Sequence, residues 1–253
     1  MKKRLVCLLA IGAMLLSGCG MKGNITVNAD GTYTSTSLMY FTEEEIAQLS
    51  SPEYGGSDAY SKDDVVDVIE VNGVKYYGFA DEDSASSAND ALTEEDYGIT
   101  TGGFYMDMTV AEADDLELAG EMYDMFDFMD ISITFPEELS VANVTLSDDK
   151  KTVLLTKEDY KKFEKLYAFS ENALAKDKKA PFVMNASDGK KLKKKAYKKG
   201  LTLQFADNAT GIKSAKLDGK EIPNGYTIKK KGTHKLVLKD FAGNSKTYKI
   251  KIK

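Results

Sequence analysis

The chain has no tryptophan, one histidine and two cysteines among its 253 residues. With His234 alone, multi-histidine zinc sites and a Ser-His triad drop out of consideration. Cys7 lies in an N-terminal apolar run, and beyond that run only Cys19 remains. That excludes a disulfide framework, a cysteine metal cluster and a cysteine nucleophile held elsewhere in the chain. Arg4 is the only arginine, so bidentate recognition of guanine or of one defined phosphate has no residue to carry it. No apolar stretch after the first one approaches membrane-spanning length.

What the chain has in quantity is charge, divided by sign. Residues 19–170 carry 33 Asp and Glu against 9 Lys, whereas residues 171–253 carry 7 acids against 22 Lys. The formal net charge of −6 hides this division. Opposite signs over successive lengths of chain predict two domains with a boundary near residue 175. Hydrophobic content of 42% is enough for packed cores in both.

Lys2, Lys3 and Arg4 precede an apolar run from Leu5 to Leu16. About 12 apolar residues rise only ~18 Å against a ~30 Å hydrocarbon core, so the run reads as a secretory signal rather than a spanning helix. The residues that close it, Leu16-Ser17-Gly18-Cys19, resemble the lipobox of bacterial lipoproteins. The resemblance implies cleavage before Cys19, lipid on its thiol, acylation of its amine and display outside the cytoplasmic membrane. Gly20 to Gly23 then read as a short tether that holds the first domain near the membrane surface.

Along the first domain, Ile25 and Val27 alternate with polar residues ahead of an Asp30-Gly31 turn and a second strand reaching Phe41. Thr42-Glu43-Glu44-Glu45 predicts a capping box and a helix over 43–49. Val65–Val71, Asn72-Gly73 and Val74–Phe79 form the clearest hairpin. A strand is predicted from Gly103, an acidic helix over 112–128, and a strand through Ile131, Ile133 and Phe135 that Pro136 ends. Val141–Leu146 and Thr152–Leu155 predict a third hairpin, and 157–169 suits either a helix or a strand. Strands interrupted by one or two helices define an α+β domain. Their order behind a lipobox is loosely similar to LppM-type lipoprotein domains, which implies a membrane-proximal domain with no known catalysis.

The last 75 or so residues carry a second resemblance. Asp177-Lys178-Lys179-Ala180-Pro181, Asp207-Asn208-Ala209-Thr210-Gly211-Ile212, Leu217-Asp218-Gly219-Lys220 and Asp240-Phe241-Ala242-Gly243-Asn244 fall in the order seen in bacterial immunoglobulin-like surface modules. Alternation in 201–205, 236–238 and 248–252, with turn signals at Asp218-Gly219, Asn224-Gly225 and Gly243-Asn244, agrees with a β-sandwich. The expected organisation is a signal over 1–18, an acidic α+β domain over 19–174, a lysine-rich linker over 175–179 and a basic Ig-like sandwich over 180–253.

Each candidate site has a plain structural alternative. The acidic pairs Asp81-Glu82-Asp83 and Asp114-Asp115 read first as solvated surface, since so many acids pair by chance and no D-x-D-x-D-G loop is present. Asp207 and Asp240 read as turn-fixing residues rather than Ca²⁺ ligands. His234 reads as an exposed or interstrand side chain. Lys190, Lys191, Lys193, Lys194, Lys195, Lys198 and Lys199 form a run whose functional reading is a diffuse polyanion patch and whose alternative is a solvated rim. No cofactor, metal or catalytic residue is assigned. The expected protein is non-catalytic and lipid-anchored through Cys19 on the extracytoplasmic face. It would bind an anionic envelope polymer or a surface protein, without specific nucleic-acid recognition. Two further readings are a structural protein whose domains clamp through opposite charges, and a carboxylate-dependent glycan enzyme.

Overall fold

The computed structural model describes residues 19–51, 60–80, 97–107, 126–162, 165–207 and 209–253, and these are mostly β. The strands of the first part are β1 (Cys19–Val27), β2 (Tyr33–Phe41), β3 (Val65–Val71), β4 (Val74–Ala80), β5 (Tyr97–Thr100) and β6 (Gly103–Asp107). Then come β7 (Phe126–Thr134), β8 (Val141–Ala142), β9 (Thr145–Leu146), β10 (Thr152–Thr156) and β11 (Lys165–Phe169). The remainder are β12 (Phe182–Asn185), β13 (Lys190–Lys191), β14 (Ala196–Tyr197), β15 (Leu201–Ala206) and β16 (Ile212–Leu217). They continue through β17 (Lys220–Glu221), β18 (Thr227–Ile228), β19 (Gly232–Asp240) and β20 (Ser245–Ile252). The α-helices among the described residues are short, α1 (Glu43–Leu49), α2 (Lys157–Lys162) and α3 (Glu171–Lys176), and a 3-10 turn spans Lys62–Asp64. Two compact units result. Described residues within 1–90, 113–134 and 145–162 form the first, and those within 91–112, 135–144 and 163–253 the second.

The first unit is a seven-stranded sheet in the order β3-β4-β2-β1-β7-β10-β9. β1 and β7 run parallel and the remaining neighbours antiparallel. Asn72 and Gly73 turn β3 into β4 with φ of +52° and +81°, the left-handed pair a two-residue hairpin requires. At α1 the predicted capping box is present. Thr42 accepts the Glu45 N–H, and Glu45 Oε2 accepts the Thr42 N–H at 2.7 Å. α1 directs Ile46 onto a cluster of Cys19, Phe41, Phe79 and Phe126, while Tyr40, Tyr76 and Phe128 pack together as a separate cluster.

Several local expectations are revised. Gly20 to Gly23 are no tether: they lie inside β1, paired with both β2 and β7. Phe126 to Phe128, expected at the end of a helix, open β7, and the rest of that expected helix, with Asp114-Asp115, lies outside the described residues. So do Asp81-Glu82-Asp83 and the leader. The third hairpin is divided. Thr145–Leu146 does pair with β10, but Val141–Ala142 pairs with β11 in another sheet. The ambiguous stretch 157–169 contains both a helix and a strand, α2 and then β11.

In the second unit, β5-β6-β11-β8 form a small antiparallel sheet. The C-terminal chain builds a four-stranded sheet, β13-β12-β15-β18, and a five-stranded one, β14-β20-β19-β16-β17. Both contribute to one core. Val183, Leu201, Leu203, Phe205 and Ile228 come from the first of them, and Ala215, Leu217, Leu236, Leu238, Ile250 and Ile252 from the second. Strict alternation of buried and half-buried residues in β15 is the period-2 pattern of a strand with one face on a core. The small sheet meets this body through Phe241, whose ring centroid lies 4.4 Å from that of Tyr167 and 5.3 Å from that of Phe169. The segment expected as a linker is ordered: Ala175 and Lys176 belong to α3, and Asp177 behind them is buried.

Candidate functional site

Three aspartates from distant parts of the second unit converge. Asp177 caps the C-terminus of α3, Asp207 follows β15, and Asp240 ends β19. Each offers a carboxylate oxygen, and these oxygens all lie within 4.8 Å of one another. Asp240 is fully buried and Asp177 nearly so.

Local hydrogen bonding explains how each acid is aimed. Asp207 Oδ2 accepts the N–H groups of Ala209, Thr210 and Gly211 at 3.0, 2.9 and 3.1 Å, so the acid does fix its turn. Asp240 Oδ1 accepts the Asn244 N–H at 2.7 Å, closing the β19–β20 turn. Asp177 Oδ1 accepts the Lys179 N–H, and Oδ2 accepts the Thr210 hydroxyl at 2.6 Å. Asn244 donates its side-chain amide to the Asp177 carbonyl at 3.0 Å, tying the segment between α3 and β12 to the β19–β20 turn. Four of the six carboxylate oxygens are thus engaged. The other two, Asp207 Oδ1 and Asp240 Oδ2, are buried without a hydrogen-bond partner. Burial raises the pKa of Asp207, with the Asp177 charge adding to it and the three backbone donors opposing. Burial likewise raises that of Asp240 against the hydrogen bonds from Asn244, and Asp177 and Asp207 add to the rise. Asp177, Ala209 and Thr210 also line an open cleft of about 380 Å³, with Lys176, Lys178 and Lys179 along its wall.

Lys190 to Lys199 fold as a frame with its charges outside. β13 pairs with β12 and β14 with β20, while Leu192 and Tyr197 pack against the core. All seven lysines of the run are exposed. The Lys191 ammonium sits 3.9 Å from the Phe182 ring centroid and that of Lys195 5.1 Å from Tyr197.

His234 is buried rather than exposed, and its ring bridges two acceptors. Nδ1 lies 2.7 Å from Asp218 Oδ2 and Nε2 2.9 Å from the Lys230 carbonyl. Two acceptors favour a ring that donates from both nitrogens, and the bond to Asp218 leads the causes that raise the His234 pKa. Both ring nitrogens are thus engaged by groups of the chain itself.

Cys19 starts β1 and is buried against Phe41, Phe79 and Phe126. Burial, with the Glu45 charge adding, pushes its thiol up to about 11. A thiol so placed is protonated and shielded at neutral pH.

The sequence singled out Asp207 and Asp240 for their turns, and Asp177 only as part of a motif. Their convergence has no signal in spacing. No protein-family model matches the chain, and no curated protein or solved structure matches it significantly.

Proposed function

We propose that this chain is a non-catalytic lipoprotein, anchored through Cys19 on the extracytoplasmic face. An α+β unit lies next to the membrane, and an Ig-like sandwich binds an anionic envelope polymer. The observation that carries the binding role is the lysine run 190–199. Leu192 and Tyr197 pack inward while all seven lysines are exposed, Lys190 and Lys191 on β13 and the others on either side of β14. Such density collects polyanions through the summed potential rather than by shape, and release of condensed counterions makes the contact salt-sensitive. The absence of arginine after Arg4 suits a diffuse contact rather than a bidentate one.

The mature chain, residues 19–253, is expected to be retained on a polyanion matrix at low ionic strength and to elute as salt rises. Gln at Lys190, Lys191, Lys193, Lys194 and Lys195 together should remove most of the retention. Equal retention of that variant, or none by the wild type, leaves the lysines as solvated surface. For the anchor, Cys19→Ser should abolish labelling by a fatty-acid analogue in cells, and unchanged labelling would refute the lipobox reading.

A further inference from the structure

The buried carboxylates of the second unit make a stronger claim than turn formation. Turn formation accounts for Asp207 Oδ2 and Asp240 Oδ1 and leaves the opposite oxygen of each acid buried with nothing to bond. An unpaired buried carboxylate oxygen is costly, and a third carboxylate, that of Asp177, stands within 4.8 Å. A cation would satisfy both orphaned oxygens and remove the repulsion at once.

We propose that Asp177, Asp207 and Asp240 bind one Ca²⁺ ion, with Asp207 Oδ1 and Asp240 Oδ2 among its ligands. The ligand set is all oxygen, which selects a hard cation over zinc or copper. Oxygens that all lie within 4.8 Å of one another can share one ion, and a set of three carboxylates suits Ca²⁺, which accepts irregular all-protein shells, better than Mg²⁺, which keeps several waters. Ca²⁺ takes about 6–8 oxygens, so further oxygens from water or neighbouring carbonyls would complete its shell, and a cleft lined by Asp177 and Thr210 opens beside the cluster. The ion ties together the segment between α3 and β12, the loop after β15 and the end of β19. The inference goes beyond the anchoring and polymer-binding reading and does not depend on it.

Titration calorimetry of CaCl₂ into the chelator-treated mature chain, with thermal unfolding in parallel, tests the site. One ion per chain should bind. Tm should rise by about 5–10 °C at a Ca²⁺ concentration ~100 times the dissociation constant, and EGTA should reverse it. Asp240→Asn keeps the acceptor for Asn244 and removes the charge, so it should lose both responses while unfolding no lower than wild type in EGTA. Asp207→Asn should behave alike and serves if Asp240→Asn does not fold. Asp218→Asn, an exposed acid of the same unit, should keep both responses. An absence of heat and of any Tm shift up to about 10 mM Ca²⁺, well above the weakest extracellular sites, overturns the proposal. So does an Asp240→Asn variant that loses equal stability with and without Ca²⁺, which a purely structural turn would give. An equal response to Mg²⁺ overturns the choice of ion.

Discussion

Single residues in this protein act through what stands on either side of them. His234 lies between a carboxylate and a carbonyl, and its raised pKa comes first from the Asp218 bond. A raised folded pKa stabilises fully below the unfolded value of ~6.5, and that stabilisation is lost as pH rises through the folded value. The Asp218 pKa is lowered, first by the Lys235 N–H and then by His234, so its share is present above ~3.9 and fades as pH falls through the depressed value. The Tm difference between wild type and His234→Gln should therefore be largest in mildly acidic buffer and shrink as pH rises past neutrality. A thermal unfolding series across pH checks this, and a difference constant with pH would refute the pairing. Gly20 makes a second case. A Cβ there would stand 2.0 Å from the Phe128 ring, which is itself packed against Tyr40 and Tyr76. Gly20→Ala should cost about 1–3 kcal/mol by overpacking, with Phe128→Leu restoring part of it in the double variant, measured by urea unfolding.

At the scale of elements, agreement between sequence and structure follows the range of the interactions that shape each one. The α1 capping box and the Asn72-Gly73 turn depend on residues within four positions of one another, so spacing alone revealed them. Thr42→Ala should lower unfolding free energy by ~1 kcal/mol in a urea titration, the usual loss of an N-cap. β7 is different. Phe126 and Phe128 share a parity, yet they join separate clusters. The register against β1 shifts between Cys19 and Gly20, which leaves Asp127 as the extra residue, and its carboxylate accepts the Tyr76 hydroxyl. Alternation assumes unbroken pairing, so a bulge set by a neighbouring strand defeats it. The divided hairpin at 141–146 is decided by distant pairing instead: β8 finds its partner in β11, not in its sequence neighbour.

For the whole molecule, charge composition separated an acidic length of chain from a basic one, but it said nothing of what joins them. Residues 175–179 read as a lysine-rich linker, whereas Asp177 is buried and bonded to Lys179 and Thr210. Cleavage after Lys178 or Lys179 should slow when Ca²⁺ is added, and Asp240→Asn should remove that protection, as read from the time course of fragments by mass spectrometry. Equal rates with and without Ca²⁺ would separate this segment from the aspartate cluster.

The sequence by itself determined what near neighbours control: the helix cap, the tight turns, the alternating strands of a β-rich chain and the lysine run. Those features depend on a few adjacent residues and on solvent. Only the tertiary structure decided which strand pairs with which, that Cys19 and His234 are buried, and that Asp177, Asp207 and Asp240 meet. Each of these aspartates is placed by its own turn, but their meeting depends on the packing of two sheets over one core, and no spacing along the chain encodes that distance.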